Sequence, residues 1–292
     1  MKLTNKFNLP APIVAALSEN NYTKGESHRS VTTLIDSPRV RILREKYEDQ
    51  IEEDVSEMMW SVLGTATHNI FENHAEGEYV SEERLFVKKD GWIISGAIDL
   101  QDENGPSDYK VTSVWSVIFD KKEWHNQLNA YAWLMRHAKG RPSKRLRIIA
   151  ILRDWKRRDA ETKDDYPESP IMIVDIPMWT EQEQDEYMEE RIRIHQEAEL
   201  RQLSGEPLPP CSDHERWKKE DSYAVRKKTN KRALRVFSCM DDANDFVKAN
   251  SLEKDHVVDL RQGVATRCDQ NWCRVAEWCD QYQSELGASH DY

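Results

Sequence analysis

Between residues 92 and 111 the chain sets two acids and a lysine, Asp99, Asp108 and Lys110, against two short apolar runs, which restricts severely how that stretch can be packed. Residues 92–100 alternate and then run apolar like a buried strand, yet Asp99 stands at the end, where a core strand has no use for a lone charge. A turn-like segment, 102–107, follows. Asp108, Tyr109, Lys110 and Val111 then read as a returning strand, and period-two alternation puts Asp108 and Lys110 on the same face. Two adjacent strands would bring two carboxylates and one ammonium together.

Such a trio suits metal-assisted phosphodiester hydrolysis. Magnesium takes hard oxygen ligands and usually only one or two protein carboxylates, leaving room for water and a substrate phosphate. A lysine beside it can orient the attacking water or stabilise charge on the phosphate. Taken alone, Asp108 and Lys110 read more readily as a surface ion pair on an edge strand, since charged triplets are common.

The surroundings supply further motifs. Residues 54–75 predict a helix with Met58, Val62, Ala66, Ile70 and Phe71 on an apolar stripe, and His68 lies about two positions off that stripe. Residues 83–89 and 91–100 read as strands joined at Asp90-Gly91, a hairpin dipeptide. Residues 124–138 predict an amphipathic helix in which Gln127 and Tyr131, four apart, share a face. Gly64 with His68, Gly96 to Asp99, Asp108 to Lys110 and Gln127 to Tyr131, in that order, resemble the RecB-like branch of the PD-(D/E)XK nuclease superfamily. That resemblance implies an α/β fold with a restriction-endonuclease-like core, a mixed central sheet flanked by helices. It also implies that His68, Asp99, Asp108 and the Tyr109 carbonyl hold Mg2+ or Mn2+, that Lys110 is catalytic, and that Gln127 and Tyr131 support the site.

A net charge of −11 argues against indiscriminate coating of nucleic acid, but a local basic groove decides phosphate contact more than the whole-chain sum. Residues 139–158 hold nine basic residues and one acid around the apolar strand 146–152. Arg153, Lys156, Arg157 and Arg158 are the expected DNA contacts, against the alternative that the run balances acids elsewhere. No stretch reaches the roughly 20 apolar residues that cross a bilayer, which predicts a cytoplasmic protein with no membrane partner.

Residues 1–22 read as an irregular arm, 38–54 as a charged helix with one buried face, and 180–203 as a solvated brace helix capped by Thr180. Beyond the Gly205–Pro210 break the composition shifts, giving an arm at 1–29, a nuclease-like core at 30–204 and a cysteine-containing C-terminal module at 205–292. All five cysteines lie in this last part. An odd number in a reducing compartment points to metal ligation rather than disulfides. A helix running unbroken from Cys273 through residue 282 would put Cys273 and Cys279 on different faces, so a shared site requires a bend. The C-terminal trio Cys268, Cys273 and Cys279 resembles the pattern that holds a 4Fe-4S cluster in several RecB-like nucleases; the remote fourth ligand of that pattern precedes His68, where this chain has no cysteine, and Cys211 is its replacement here. Zinc on the same thiolates and ordinary buried thiols are the alternatives, and Cys239 reads as a small buried residue.

The expected function is divalent-metal-dependent cleavage of DNA, by an exonuclease acting on ends or single strands in recombination or phage DNA metabolism. The alternative is a catalytically silent, nuclease-like DNA-binding subunit that works with a recombination partner protein.

Overall fold

The computed structural model describes residues 1–18 and 25–289, so 19–24 of the expected arm lie outside the described residues. The chain forms two compact units, Met1–Pro209 and Pro210–Tyr292, dividing inside the Gly205–Pro210 break.

The first unit opens with β1 (Lys2–Thr4) and α1 (Ala11–Ser18), which corrects the expectation of an irregular arm. There follow β2 (Arg29–Ser30), α2 (Val31–Leu34), α3 (Pro38–Lys46) and β3 (Glu52–Asp54). β3 pairs in parallel with β1. The Asp54 carboxylate fixes that pairing by accepting the Lys6 N–H at 2.7 Å and the Thr4 hydroxyl at 3.0 Å. α3 therefore stops at Lys46, short of the predicted end.

α4 (Met59–Glu72) leads into β4 (Val80–Lys89), β5 (Trp92–Asp102) and β6 (Gly105–Thr112). At the β4–β5 turn Asp90 and Gly91 have φ of 48° and 80°, the left-handed pair that a two-residue hairpin demands. The β5–β6 connection is tighter than the sequence suggests, because the strands run up to Asp102 and resume at Gly105. Its glycine is required: φ is +144°, and a Cβ there would meet the Arg145 carbonyl oxygen at 2.3 Å.

Next come α5 (Trp115–Ile118), α6 (Lys122–Lys139), β7 (Leu146–Leu152), α7 (Arg157–Thr162), β8 (Ile171–Ile176) and α8 (Glu181–Ser204). The sheet runs β2-β5-β6-β7-β8 with β4 on the other edge of β5, and it mixes parallel and antiparallel pairs. It is a mixed α/β arrangement. Ile94, Ile98, Leu146 and Ile148 meet Leu128, Trp133, Leu134 and Met135 of α6 in one core. α8 is no solvated brace: Met188, Ile192, His195 and Ala198 are buried at helical spacing within its acidic sequence. His195 is neutral there, since its Nδ1 accepts from Arg41 at 3.1 Å and its Nε2 faces the Leu34 and Asp36 carbonyls.

The second unit contains β9 (Ser222–Lys227), β10 (Ala233–Phe237), α9 (Met240–Ala249), β11 (His256–Arg261), α10 (Thr266–Asp269) and α11 (Asp280–Ser289). β9 and β10 pair as an antiparallel hairpin, with β11 on the other side of β9, in a sheet ordered β10-β9-β11. Val225, Ala243 and Val247 form one buried apolar cluster of this unit, and Ala224, Ala265, Val275 and Ala276 are also buried in it. No helix among the described residues is long and apolar enough to cross a membrane.

Candidate metal centre

The site lies where the central sheet comes apart. β5 and β6 are in register only at Leu100–Ser107, Gln101–Pro106 and Asp102–Gly105. The next pair along would be Asp99 and Asp108, and there the ladder stops. β2 occupies the vacated edge of β5 farther along, at Ile94 and Ser95. In the gap the Asp99 carboxylate does the work of a backbone carbonyl, accepting the Tyr109 N–H at 2.8 Å. Burial and the neighbouring Asp108 charge push the Asp99 carboxyl up to about 8.

Asp108 and Lys110 share the face turned to α6. Gln127 Nε2 donates to Asp108 Oδ1 at 2.7 Å and to the Tyr131 hydroxyl at 3.1 Å, so two helical positions four apart aim one carboxylate. Lys110 Nζ stands 2.5 Å from Asp108 Oδ2. Burial opposes the ammonium charge, but Asp108 and Asp99 outweigh it and hold Lys110 above its ordinary value. Gly96 clears the way for this packing, since a Cβ there would meet Leu134 at 2.7 Å and the Tyr131 ring at 2.9 Å.

α4 closes the other side, and its orientation corrects the predicted stripe. Ile70 and Met59 are exposed and no residue of the helix is fully buried. The inward face carries Gly64, Thr67, His68 and Phe71, with Phe71 and His68 against the Tyr109 ring at centroid distances of 4.8 and 5.7 Å. His68 Nε2 lies 3.3 Å from the Tyr109 carbonyl oxygen and 3.6 Å from Asp99 Oδ2. Its Nδ1 lies 3.2 Å from Glu82 Oε1. Burial works against a charged imidazole, but Glu82, Asp99 and Asp108 together raise its pKa.

Glu82 is the residue that sequence reasoning missed. With φ of 50° it departs from strand geometry, which swings its carboxylate to the histidine. His68, Glu82 and Asp99 bring one ligand atom each within 4.8 Å of one another. Asp108 stands beside this group with Oδ1 held by Gln127 and its buried Oδ2 paired with the Lys110 ammonium. An imidazole nitrogen, a backbone carbonyl and two carboxylate oxygens form a donor set that fits a hard divalent cation.

The expected DNA contacts sit beyond the same strand ends. Arg153, Lys156, Arg157 and Arg158 are exposed, and the Arg153 N–H donates to the Thr112 carbonyl at the end of β6, at 2.9 Å. No ladder or pair binds the last three to the metal-centre residues among the described contacts.

In the second unit Cys273 and Cys279 are buried, and Cys211 and Cys268 half-buried. Cys239 is exposed, which corrects its expected burial: its Sγ accepts the Asp242 N–H as the N-cap of α9. No unbroken helix joins Cys273 to residue 282: a short 3-10 turn, Ala276–Trp278, is followed by a fresh helix from Asp280, so the chain bends at Cys279. Burial raises the Cys268 thiol, Cys273 and Cys279 add to that, and Arg216 pulls it down. Gln281 brackets the Cys211 backbone, accepting its N–H at 2.8 Å and donating to its carbonyl at 3.0 Å.

No family model matches the chain. No curated protein matches it either. Among solved structures, the crystal structure of SSO0001 aligns over 62% of this chain and 81% of that one, at 18% sequence identity and a TM-score of 0.40.

Proposed function

We propose that the first unit is a divalent-metal-dependent deoxyribonuclease with a restriction-endonuclease-like core of the RecB-like kind. The observation that carries this reading is the split between β5 and β6, which gathers Asp99, Asp108 and Lys110 with the His68 imidazole and the Tyr109 carbonyl. His68, Asp99, Asp108 and the Tyr109 carbonyl would hold Mg2+ or Mn2+. Such a cation, when bound, supplies Lewis-acid charge to the phosphate and a coordinated water of lowered pKa. Lys110 would position the attacking water and face the negative charge that builds on the non-bridging phosphate oxygens. Gln127 keeps Asp108 aimed, and Glu82 fixes which imidazole nitrogen faces the oxygens.

In the second unit we read Cys211, Cys268, Cys273 and Cys279 as ligands of a structural 4Fe-4S cluster, with Zn2+ as the competing occupant. The bend at Cys279 and the burial of Cys273 and Cys279, with Cys211 and Cys268 half-buried, support this. Anaerobic reconstitution followed by iron, sulfide and zinc analysis decides between them.

The nuclease test is digestion of end-labelled and circular DNA, single-stranded and duplex, with Mg2+ or Mn2+, using native protein and Lys110→Ala. Metal-dependent cutting that vanishes in the variant is expected, and the circular substrates report whether ends are required. A native protein that binds these DNAs and cuts none is instead the silent subunit of a recombination complex.

A further inference from the structure

We propose that an aromatic rim at the end of β6 is a stacking platform for the unpaired bases of single-stranded DNA. This deepens the nuclease reading, because the platform would feed the strand to the metal centre.

Two aromatic features flank the junction of β6 and β7. Trp115 and Phe119, one turn apart, lie nearly parallel, with an interplanar angle of 15° and centroids 5.9 Å apart. They are 59% and 64% exposed. Trp60 on α4 is 55% exposed, and the Arg153 guanidinium lies 4.2 Å from its ring centroid. The two features are tied together through Arg153 and Asp154. Arg153 N–H donates to the Thr112 carbonyl at 2.9 Å, and the Val114 N–H donates to Asp154 Oδ1 at 2.8 Å, just before Trp115.

Their position relative to the metal centre follows from strand and helix geometry. Thr112 is two residues beyond Lys110 on β6, about 7 Å along the strand. Trp60, Gly64 and His68 succeed one another at four-residue intervals, so they share one face of α4 and span about 12 Å. A Cβ at Gly64 would meet nothing within 4 Å, so that face has no side chain between the tryptophan and the histidine. A backbone can pass close there.

The chemistry selects the occupant. Large flat rings left in water are costly unless something covers them. Along the chain just beyond Arg153 stand the exposed cations Lys156, Arg157 and Arg158, which suit phosphates rather than an apolar protein face. Rings to stack on, a guanidinium already lying on one of them and cations for the backbone are the elements that hold single strands. Duplex DNA has its base faces occupied by neighbouring bases, so it gains nothing from the rings.

The test is fluorescence anisotropy of a labelled oligothymidylate with native protein, Trp115→Ala/Phe119→Ala and Trp60→Ala, in EDTA so that nothing is cut. Removal of a stacking ring is expected to weaken binding by about tenfold to a hundredfold. An abasic oligonucleotide of equal length should bind native protein no more tightly than oligothymidylate binds the double variant. Trp115→Tyr/Phe119→Tyr should restore affinity, which separates stacking from misfolding. Unchanged affinity in the alanine variants, or equal binding of the abasic strand, would overturn the platform. The nuclease reading fails separately: binding that depends on the rings with no cutting in Mg2+ or Mn2+ sinks the nuclease and leaves the platform intact.

Discussion

Asp99 and Asp102 lie three residues apart on one strand, each only 6% exposed, and they meet opposite fates. Asp102 Oδ1 accepts the Asn104 and Gly105 N–H groups at 2.7 and 3.1 Å, and Oδ2 accepts from Arg145 and Arg147 at 3.0 and 3.1 Å. Burial opposes its charge, yet these donors more than compensate and hold the carboxyl below its usual range. Asp99 receives one N–H and an imidazole, faces a second carboxylate, and is pushed up to about 8. A buried acid with a full set of partners is a structural anchor, whereas one short of partners is kept for a ligand.

Substitution should break the two acids differently. The largest effect is expected at the site: Asp108→Asn, which keeps shape and removes charge, should lower metal-dependent cleavage at least about a thousandfold in a gel assay. At the other end, Asp102→Asn should leave cleavage by the folded protein in place. It should destabilise the first unit by about 3 kcal/mol, visible as a thermal midpoint roughly 10 °C lower, because Arg145 and Arg147 lose their carboxylate.

Asp99→Asn should move stability the other way in metal-free protein. A carboxyl raised in the folded state stabilises fully below its unfolded value of about 4, and that contribution is lost as pH climbs toward 8. The variant should therefore melt a few degrees higher than native at pH 8 and no higher at pH 4. A midpoint difference independent of pH would remove the contrast between the two acids. The smallest effect is expected at Glu82→Gln, where a misdirected imidazole should weaken Mn2+ binding about tenfold by calorimetry.

How much of this was written plainly in the sequence depended on regularity. Asp99, Asp108, Lys110, Gln127 and Tyr131 stand on strands and a helix whose periods fix their faces, and Asp90-Gly91 names its own turn. Glu82 was hidden because its role comes from a single left-handed residue, which no period encodes. The α4 stripe misled because the helix lends its polar side, Gly64, Thr67 and His68, to the sheet and leaves Ile70 in water. α8 misled in the opposite sense, since five buried positions are diluted among charges. The pairing of β1 with β3 depends on the Asp54 carboxylate, a contact fifty residues distant from Thr4.

The turn at Asp102–Gly105 has one more consequence, for how such a chain can change over time. It clamps two strands like the pivot of a pair of tongs, and the jaws are Asp99 and Asp108. An added residue at Glu103 or Asn104 would roll the whole of β6 over, sending Asp108 and Lys110 to the face of Tyr109. Length can drift freely in the surface loops, but at this pivot the chain has lost the freedom to grow or shrink.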